Sequence, residues 1–282
     1  MDWAKAKSVL IVAFLITNLI LGYVLIDNRE VKGMSKEQFI SEIKKELNDK
    51  GIIIQTEIPS DIPPLPMIDL KYDVYNPKDI AKKFLGEYIK ESIGDNIQFR
   101  NEKEVLRLSP DNKTLFYESH SDIKKYDTLT KDKLEEIVTK FLKNKGFRTD
   151  DFKLDYYKYN YDDEVYVLKY TKVYDNRFVE RTNMTFEINK FGIKKFKRHW
   201  VKSIEESDRK FSIIDPSDAL LRLLSKQEHY NKIITDIDLC YYLPEELSYK
   251  NPRNPIKITS GPAWRIKFKD GTKEFLDQYE NK

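Results

Sequence analysis

From Val9 to Ile26 the chain reads VLIVAFLITNLILGYVLI without a charged residue, and this run constrains everything after it. As a helix rising about 1.5 Å per residue it is roughly 27 Å long. A hydrocarbon core is about 30 Å thick, so with Ser8 added one helix just crosses. A secretory leader has a shorter apolar stretch, about 7–15 residues, and then a small-x-small cleavage site. Here the far end is Leu21-Gly22-Tyr23-Val24-Leu25-Ile26-Asp27, with large residues where a peptidase needs small ones and no cysteine nearby for lipid attachment. The segment reads as an uncleaved signal-anchor.

Basic residues near the ends set the orientation. Lys5, Lys7 and the amino terminus lie on one side, while Arg29 and Lys32 on the other are mixed with Asp27 and Glu30. The expectation is a single-pass protein of the cell membrane, N-terminus cytoplasmic and C-terminal region extracytoplasmic, in contact with lipid along its span. Ala13, Thr17, Asn18 and Gly22 give the span a helix-packing face, because small residues permit close approach and an amide can hydrogen-bond across helices. These four are the candidate transmembrane contacts with a partner.

Residues 27–282 are long enough for two domains. The net charge of +3 makes a nearly balanced surface, with no field suited to nucleic acid. Aromatics at 13% argue for packed cores. A disulfide framework needs paired cysteines, and Cys240 is alone in Ile237-Asp238-Leu239-Cys240-Tyr241-Tyr242, where it reads as a small buried hydrophobe.

Ser35 with Gln38 has the form of a capping box before Phe39, Ile43 and Leu47. Pro59 to Pro66 holds four prolines and reads as an extended connector. Asn76-Pro77 opens a helix carrying Ile80, Phe84 and Tyr88. Asn96–Leu108 and Lys113–Ser119 read as a hairpin about Ser109-Pro110-Asp111-Asn112. Thr130 caps a helix with Leu134, Ile137, Val138, Phe141 and Leu142, ended by Gly146. Strands follow at Phe152–Tyr161, Val165–Tyr174, Phe178–Ile188 and Ile193–Ile204, and Val165–Tyr174, apolar on both faces, reads as central. Asp215-Pro216 starts a helix reaching Glu228, before strands near Ile233–Tyr242 and Ala263–Lys269 and a turn at Asp270-Gly271. Helices alternating with hairpins give an α+β class with antiparallel sheets. The expected division is a cytoplasmic tail (1–8), a transmembrane helix (9–26) and two tandem extracytoplasmic α+β subdomains (27–128 and 129–282).

No motif for catalysis is present. His120, His199 and His229 have no partner at metal-ligand spacing, and there is no HExxH, CxxC, GxSxG, phosphate loop or GxGxxG. No cofactor or metal is expected. Two enrichments remain. Tyrosines crowd residues 156–174, where they also serve simply as good strand formers, the favoured reading, and Tyr166, Tyr170 and Tyr174 are the candidate ectodomain interface. Lys194, Lys195, Lys197 and Arg198 form a basic stretch that could meet anionic polymer or lipid head groups, but the usual explanation of a basic strand, a solvated edge that resists aggregation, is the favoured one.

The opening Met1-Asp2-Trp3-Ala4-Lys5-Ala6-Lys7 running into the apolar span resembles the YycI family. So do Phe196-Lys197-Arg198-His199-Trp200, Asp215-Pro216-Ser217-Asp218-Ala219-Leu220-Leu221-Arg222-Leu223-Leu224, Ile237–Tyr242 and Pro262-Ala263-Trp264-Arg265-Ile266, in that order. Cys240 departs from the glycine expected in a Leu-Gly-Tyr-Tyr pattern. The resemblance implies a non-catalytic membrane protein that, with a YycH-like protein, modulates the WalK (YycG) sensor histidine kinase of a two-component system governing cell-wall metabolism. It leaves self-association as a homodimer open. The competing readings are an anchored module that binds cell-wall polymer through the basic stretch, and a tethered hydrolase or peptidase inhibitor.

Overall fold

The structure is a computed structural model describing residues 14, 18, 35–60, 62–93, 96–243 and 257–277. The chain separates into two compact units, one of residues 1–54 and 217–232, the other of residues 55–216 and 233–282.

In the first unit, helix α1 (Lys36–Asp49) starts at the capping box: the Ser35 hydroxyl accepts from Gln38 N, and the Gln38 side chain accepts from Ser35 N. Ile43 and Leu47 form its buried stripe, and α1 packs against the 3-10 turn Arg222–Ser225. Gly51 turns the chain with φ 72°, and a Cβ there would meet the Asn231 side chain at 2.3 Å. The expected helix from Asp215 to Glu228 is shorter. Helix α4 (Pro216–Leu221) tightens into 3-10 turns at Arg222–Ser225 and Gln227–His229.

The second unit is built on a sheet. Its strands are β2 (Leu65–Tyr72), β3 (Ile89–Ile93), β4 (Asn96–Arg100), β5 (Glu104–Leu108), β6 (Thr114–Ser119), β7 (Phe152–Asn160), β8 (Val165–Tyr174), β9 (Arg177–Asn189), β10 (Gly192–His199), β11 (Val201–Phe211), β12 (Ile233–Tyr242), β13 (Lys257–Phe268) and β14 (Lys273–Leu276), numbered after the two-residue strand β1 (Ile53–Ile54). They run in the order β11-β2-β13-β12-β9-β10-β6-β5-β4-β3, with β7–β8 added to β9 and β14 to β13. Within this unit the pairings described are antiparallel except β12 with β9, which is parallel over Cys240–Tyr241 and Phe178–Val179. The class is therefore α+β and sheet-dominated, with one parallel contact that hairpin reasoning does not supply. The sheet takes strands from both sides of residue 128.

Helices α2 (Pro77–Leu85) and α3 (Lys131–Asn144) supply the apolar layer over one sheet face. Asn76 caps α2 through Lys78 N and Asp79 N, and Thr130 caps α3 through Lys133 N. Phe84, Phe141, Phe186 and Phe196 interlock beneath them, with Phe141 edge-on to Phe196 at 5.2 Å and Phe186 stacked on Phe196 at 4.6 Å. Such pairs add about 0.5–1.5 kcal/mol each beyond the area they bury.

Two expectations about strands change. Asn96–Leu108 is two strands, because the Asn101 side chain accepts from Lys103 N and Glu104 N and folds a turn that holds no Gly or Pro. The proline-rich connector ends in β2, which lies between β11 and β13. Pro66 is tolerated in that strand because it sits where the register with β11 is broken.

Candidate functional site

Strand alternation sorts the tyrosines. Tyr166 and Tyr170 are four apart on β8 and share a face. Tyr170 is only 4% exposed and edge-on to Phe152 and Phe186 at 5.1 and 5.9 Å, so it belongs to the core. Its buried hydroxyl has no hydrogen-bond partner among the described residues, and burial, then the Glu135 charge, raise its pKa. Tyr166 is half-buried and stacks with Tyr157 at 6.0 Å and meets Tyr159 at 4.7 Å, while Tyr161 beyond them is 82% exposed. Tyr174 lies elsewhere, 6.4 Å from Tyr241, with its hydroxyl donating to Glu206 at 3.0 Å. The reason is a bulge: Thr171 pairs with Asn183 but Lys172 pairs with Val179, so β9 accommodates extra residues at Glu180, Arg181 and Thr182. Arg181 takes the left-handed φ of 63° that the bulge needs.

The basic stretch is split by the same alternation. Lys195 and Lys197 lie on the open sheet face, where Lys195 pairs with Glu187 at 3.1 Å and Lys197 stands 5.5 Å over the Phe116 ring. That face carries further cross-strand pairs, Arg100–Glu91 at 2.5 Å and Arg107–Glu118 at 3.2 Å. Lys194 occupies the shift in register between Ile193 and Lys195. Arg198 points the other way and is buried. It donates to Asp73 at 2.8 Å and to the Tyr75 hydroxyl, and lies 4.3 Å from the Phe147 ring and 5.3 Å from Trp200. Burial pushes the Tyr75 hydroxyl up to about 12 against the opposing pull of Arg198.

The densest charge in this unit was not legible beforehand. Arg265, 1% exposed, donates to Asp155 and to Asp238 at 2.7 Å, and its Nε forms an ion pair with Glu180 at 2.9 Å. Lys273 bonds Asp155 and both Glu180 oxygens at 2.8 and 3.0 Å, and Thr171 donates to Asp155 at 3.0 Å. Lys267 donates to the Asp155 carbonyl at 2.6 Å. The guanidinium also lies 4.1 Å from the Phe178 ring. Burial works to raise the Asp155 pKa, but Lys273 and Arg265 hold it below the usual carboxylate range. Asp238 goes the other way, raised by burial against Arg265. Both fully enclosed acids sit on bulges. Asp155 is the extra residue between Leu154 and Tyr156 in β7, and Glu180 lies in the β9 bulge. A bulge re-aims a side chain, which is how two charged residues on strands enter the interior. Next to them Cys240 is fully buried, and burial raises its thiol pKa well above the ordinary value. By these ion pairs the cluster cross-links strands β7, β9, β12, β13 and β14.

A groove of about 770 Å³ opens beside α3, floored by Tyr117, Ile137, Phe141 and Ile193 and rimmed by lysines and glutamates. Within it Tyr117 donates to Glu104 at 2.5 Å and Lys133 pairs with Glu136 at 2.8 Å. Its rim carries four lysines and four glutamates. Among the described residues no three of His, Cys, Asp and Glu converge on a metal-binding arrangement.

Of the span residues, Ala13, Thr17 and Gly22 lie outside the described residues. Phe14 and Asn18 are helical and exposed, and the Asn18 side chain donates to the Phe14 carbonyl at 3.0 Å. That bond takes one of the amide's two N–H donors. Among the described residues no helix is long and apolar enough to cross a membrane.

Compared with curated proteins, the chain finds no match. Among solved structures it is similar to an uncharacterized protein from Eubacterium rectale ATCC 33656, with a TM-score of 0.48 and 12% identity over 87% of this chain and 95% of that one. The family model described as YycI protein matches residues 32–281. That match takes in the sheet unit with its bulged ionic core and the α1 unit together. The chain belongs to the YycI family, a family of accessory regulators associated with the WalK (YycG) two-component system.

Proposed function

We propose that the chain is a membrane-anchored, non-catalytic regulator that acts on the WalK sensor kinase by contact, together with a YycH-like protein. The observation that carries this reading is the family match over residues 32–281, which begins just after the apolar run Val9–Ile26. In this arrangement the run is a single span with its N-terminus in the cytoplasm, and residues 27–282 lie outside. The span packs beside kinase transmembrane helices through Ala13, Thr17, Asn18 and Gly22. Asn18 then bonds both its own helix and its neighbour, since an amide carries two N–H donors and an acceptor.

Such a contact shifts the kinase only by its differential affinity for the two signalling states. Moving a 1:99 balance to 99:1 needs about 5.5 kcal/mol. An interhelical hydrogen bond in a membrane contributes roughly 0.6–2 kcal/mol, so the span alone accounts for part of the shift and an exterior interface for the rest. The test is kinase output in cells carrying Asn18→Leu or Gly22→Leu at parental protein levels. Weakened control in either variant, with the exterior region still folded, supports the reading. Unchanged output in both overturns the role of the span.

A further inference from the structure

The groove beside α3 has charges of opposite sign at its two ends. At one end stand Lys125 and Lys133. The Lys125 and Tyr126 N–H groups both donate to the Lys190 carbonyl, and the Lys125 side chain passes within 4 Å of where a Cβ on Gly192 would stand. Lys133 is already paired with Glu136 at 2.8 Å, so Lys125 is the cation at this end without an ion pair among the described residues. At the other end the turn between β4 and β5 brings Glu102 and Glu104, and Glu87 follows α2. Glu104 is fixed there. One of its oxygens accepts from the Tyr117 hydroxyl at 2.5 Å and the other from the Asn101 amide at 3.0 Å, and the same amide donates to the Leu85 carbonyl at the end of α2. Burial, then Glu104, raise the Tyr117 pKa, so its hydroxyl stays a donor. A carboxylate has about four acceptor positions, and these two bonds leave about two for a ligand. The cations near Glu104 are Lys103, in the turn itself, and Lys145, whose ammonium donates to the Phe84 carbonyl at 2.8 Å.

The sheet sets the separation of the two ends. Strand β10 pairs with β6, and β6 with β5, through Lys195, Glu118 and Val105. Gly192 on β10 and Glu104 on β5 therefore stand two strand spacings apart, about 10 Å. A free amino acid, with ammonium and carboxylate on one carbon, is too short to reach both ends. An extended peptide covers about 3.3–3.6 Å per residue, so about three residues span the gap and a fourth uses the reach of the Lys125 side chain. Between the ends the floor is apolar at Ile137, Phe141 and Ile193, and Ser121 and Asn144 bring a hydroxyl and an amide to the walls. A peptide offers backbone N–H and C=O groups to such walls and side chains to such a floor. A concave site with an apolar lining and a few placed polar groups is the usual form of a small-ligand site. We propose that the groove is a binding site for a short zwitterionic peptide, its ammonium on Glu104 and its carboxylate on Lys125.

The test is calorimetric titration of the full chain in detergent with tetra-alanine, whose two ends are charged. Saturable binding is expected. Acetylating the amino end or amidating the carboxyl end weakens it at least about tenfold each, because hydrogen bonds between charged groups carry the contact. Free alanine does not compete. In Glu104→Gln the free peptide falls to the affinity of the acetylated one, which itself binds as it does to the parent. The glutamine carbonyl still accepts from Tyr117, so the bond that orients the side chain is kept. In Lys125→Gln the same relation holds for the amidated peptide, and the unfolding midpoint stays parental, which separates lost binding from lost folding. The proposal is overturned if tetra-alanine shows no saturable binding, if the blocked peptides bind as well as the free one, or if both variants bind the free peptide as the parent does.

Discussion

Two regions of the same sheet are held together in opposite ways. Under α2 and α3, β6, β9 and β10 run in near-regular register and bury Phe186, Phe196, Tyr117 and Leu115 against Phe84 and Phe141. Toward β13 and β14, bulged strands enclose Asp155, Glu180, Arg265 and Lys273. The first region is apolar, and a volume-conserving hydrophobic swap there costs little. The second is ionic, and each member depends on the others being present. Regular alternation produces the one, and broken alternation produces the other.

The largest effect expected follows directly. Arg265→Met leaves Asp155 and Glu180 buried with less countercharge, and removing one partner of a buried pair costs about 3–5 kcal/mol. Leu142→Met in the aromatic region keeps the volume and costs less than about 1.5 kcal/mol. Denaturant midpoints of the two variants measure the contrast, and equal losses would erase the distinction drawn between the regions. A sharper form replaces Asp155, Glu180, Arg265 and Lys273 together by apolar residues. The cluster charges then left, Asp238 and Lys267, are partly exposed, so the four together should cost less than Arg265→Met alone.

Acid separates the regions next. Asp155 has its pKa depressed in the folded state, so its stabilisation is present above the unfolded carboxylate value and is lost as pH falls through the folded one. His199 adds to this. Its ring hydrogen-bonds Thr114 at 3.0 Å and meets Tyr72 at 4.6 Å, and burial lowers its pKa below 6.5. Protonation therefore favours the unfolded chain, and stability declines as pH falls below 6.5 through the lowered value. His199→Phe should flatten the upper part of that decline, seen in unfolding midpoints between pH 7 and 5. Smaller again is Thr130→Ala, which removes the α3 cap and costs about 1 kcal/mol. Smallest is Arg107→Ala on the open face, where an exposed ion pair contributes about 0.2–1 kcal/mol.

The same contrast explains what could be read in advance. The capping box at Ser35–Gln38, the caps at Asn76 and Thr130, and the alternation of Val165–Tyr174 are local signals, and the structure places helices and a central strand where they point. Side chains that act locally can be read locally. Asp155 and Glu180 could not be. Alternation has period two, and one extra residue sends a side chain to the other face. The left-handed residue that marks the β9 bulge is Arg181, whose side chain gives no warning of it. Asn101 hid a turn for a similar reason, since its amide does the work that Gly or Pro usually signals. Strand β2 was obscured by Pro66, which is admissible only because β11 is irregular opposite it. Of the candidate site residues, Tyr166, Tyr170 and Tyr174 looked like one surface until the bulge separated Tyr174, and Arg198 looked like its lysine neighbours until alternation turned it inward.

The most direct test of regulation by contact is co-purification after in-cell cross-linking of the full-length tagged chain from membranes. Recovery of the WalK kinase with a YycH-like protein, lost when residues 9–26 are exchanged for an unrelated span, is the result predicted. Recovery of wall polymer, or of neither protein, with the kinase absent would contradict it.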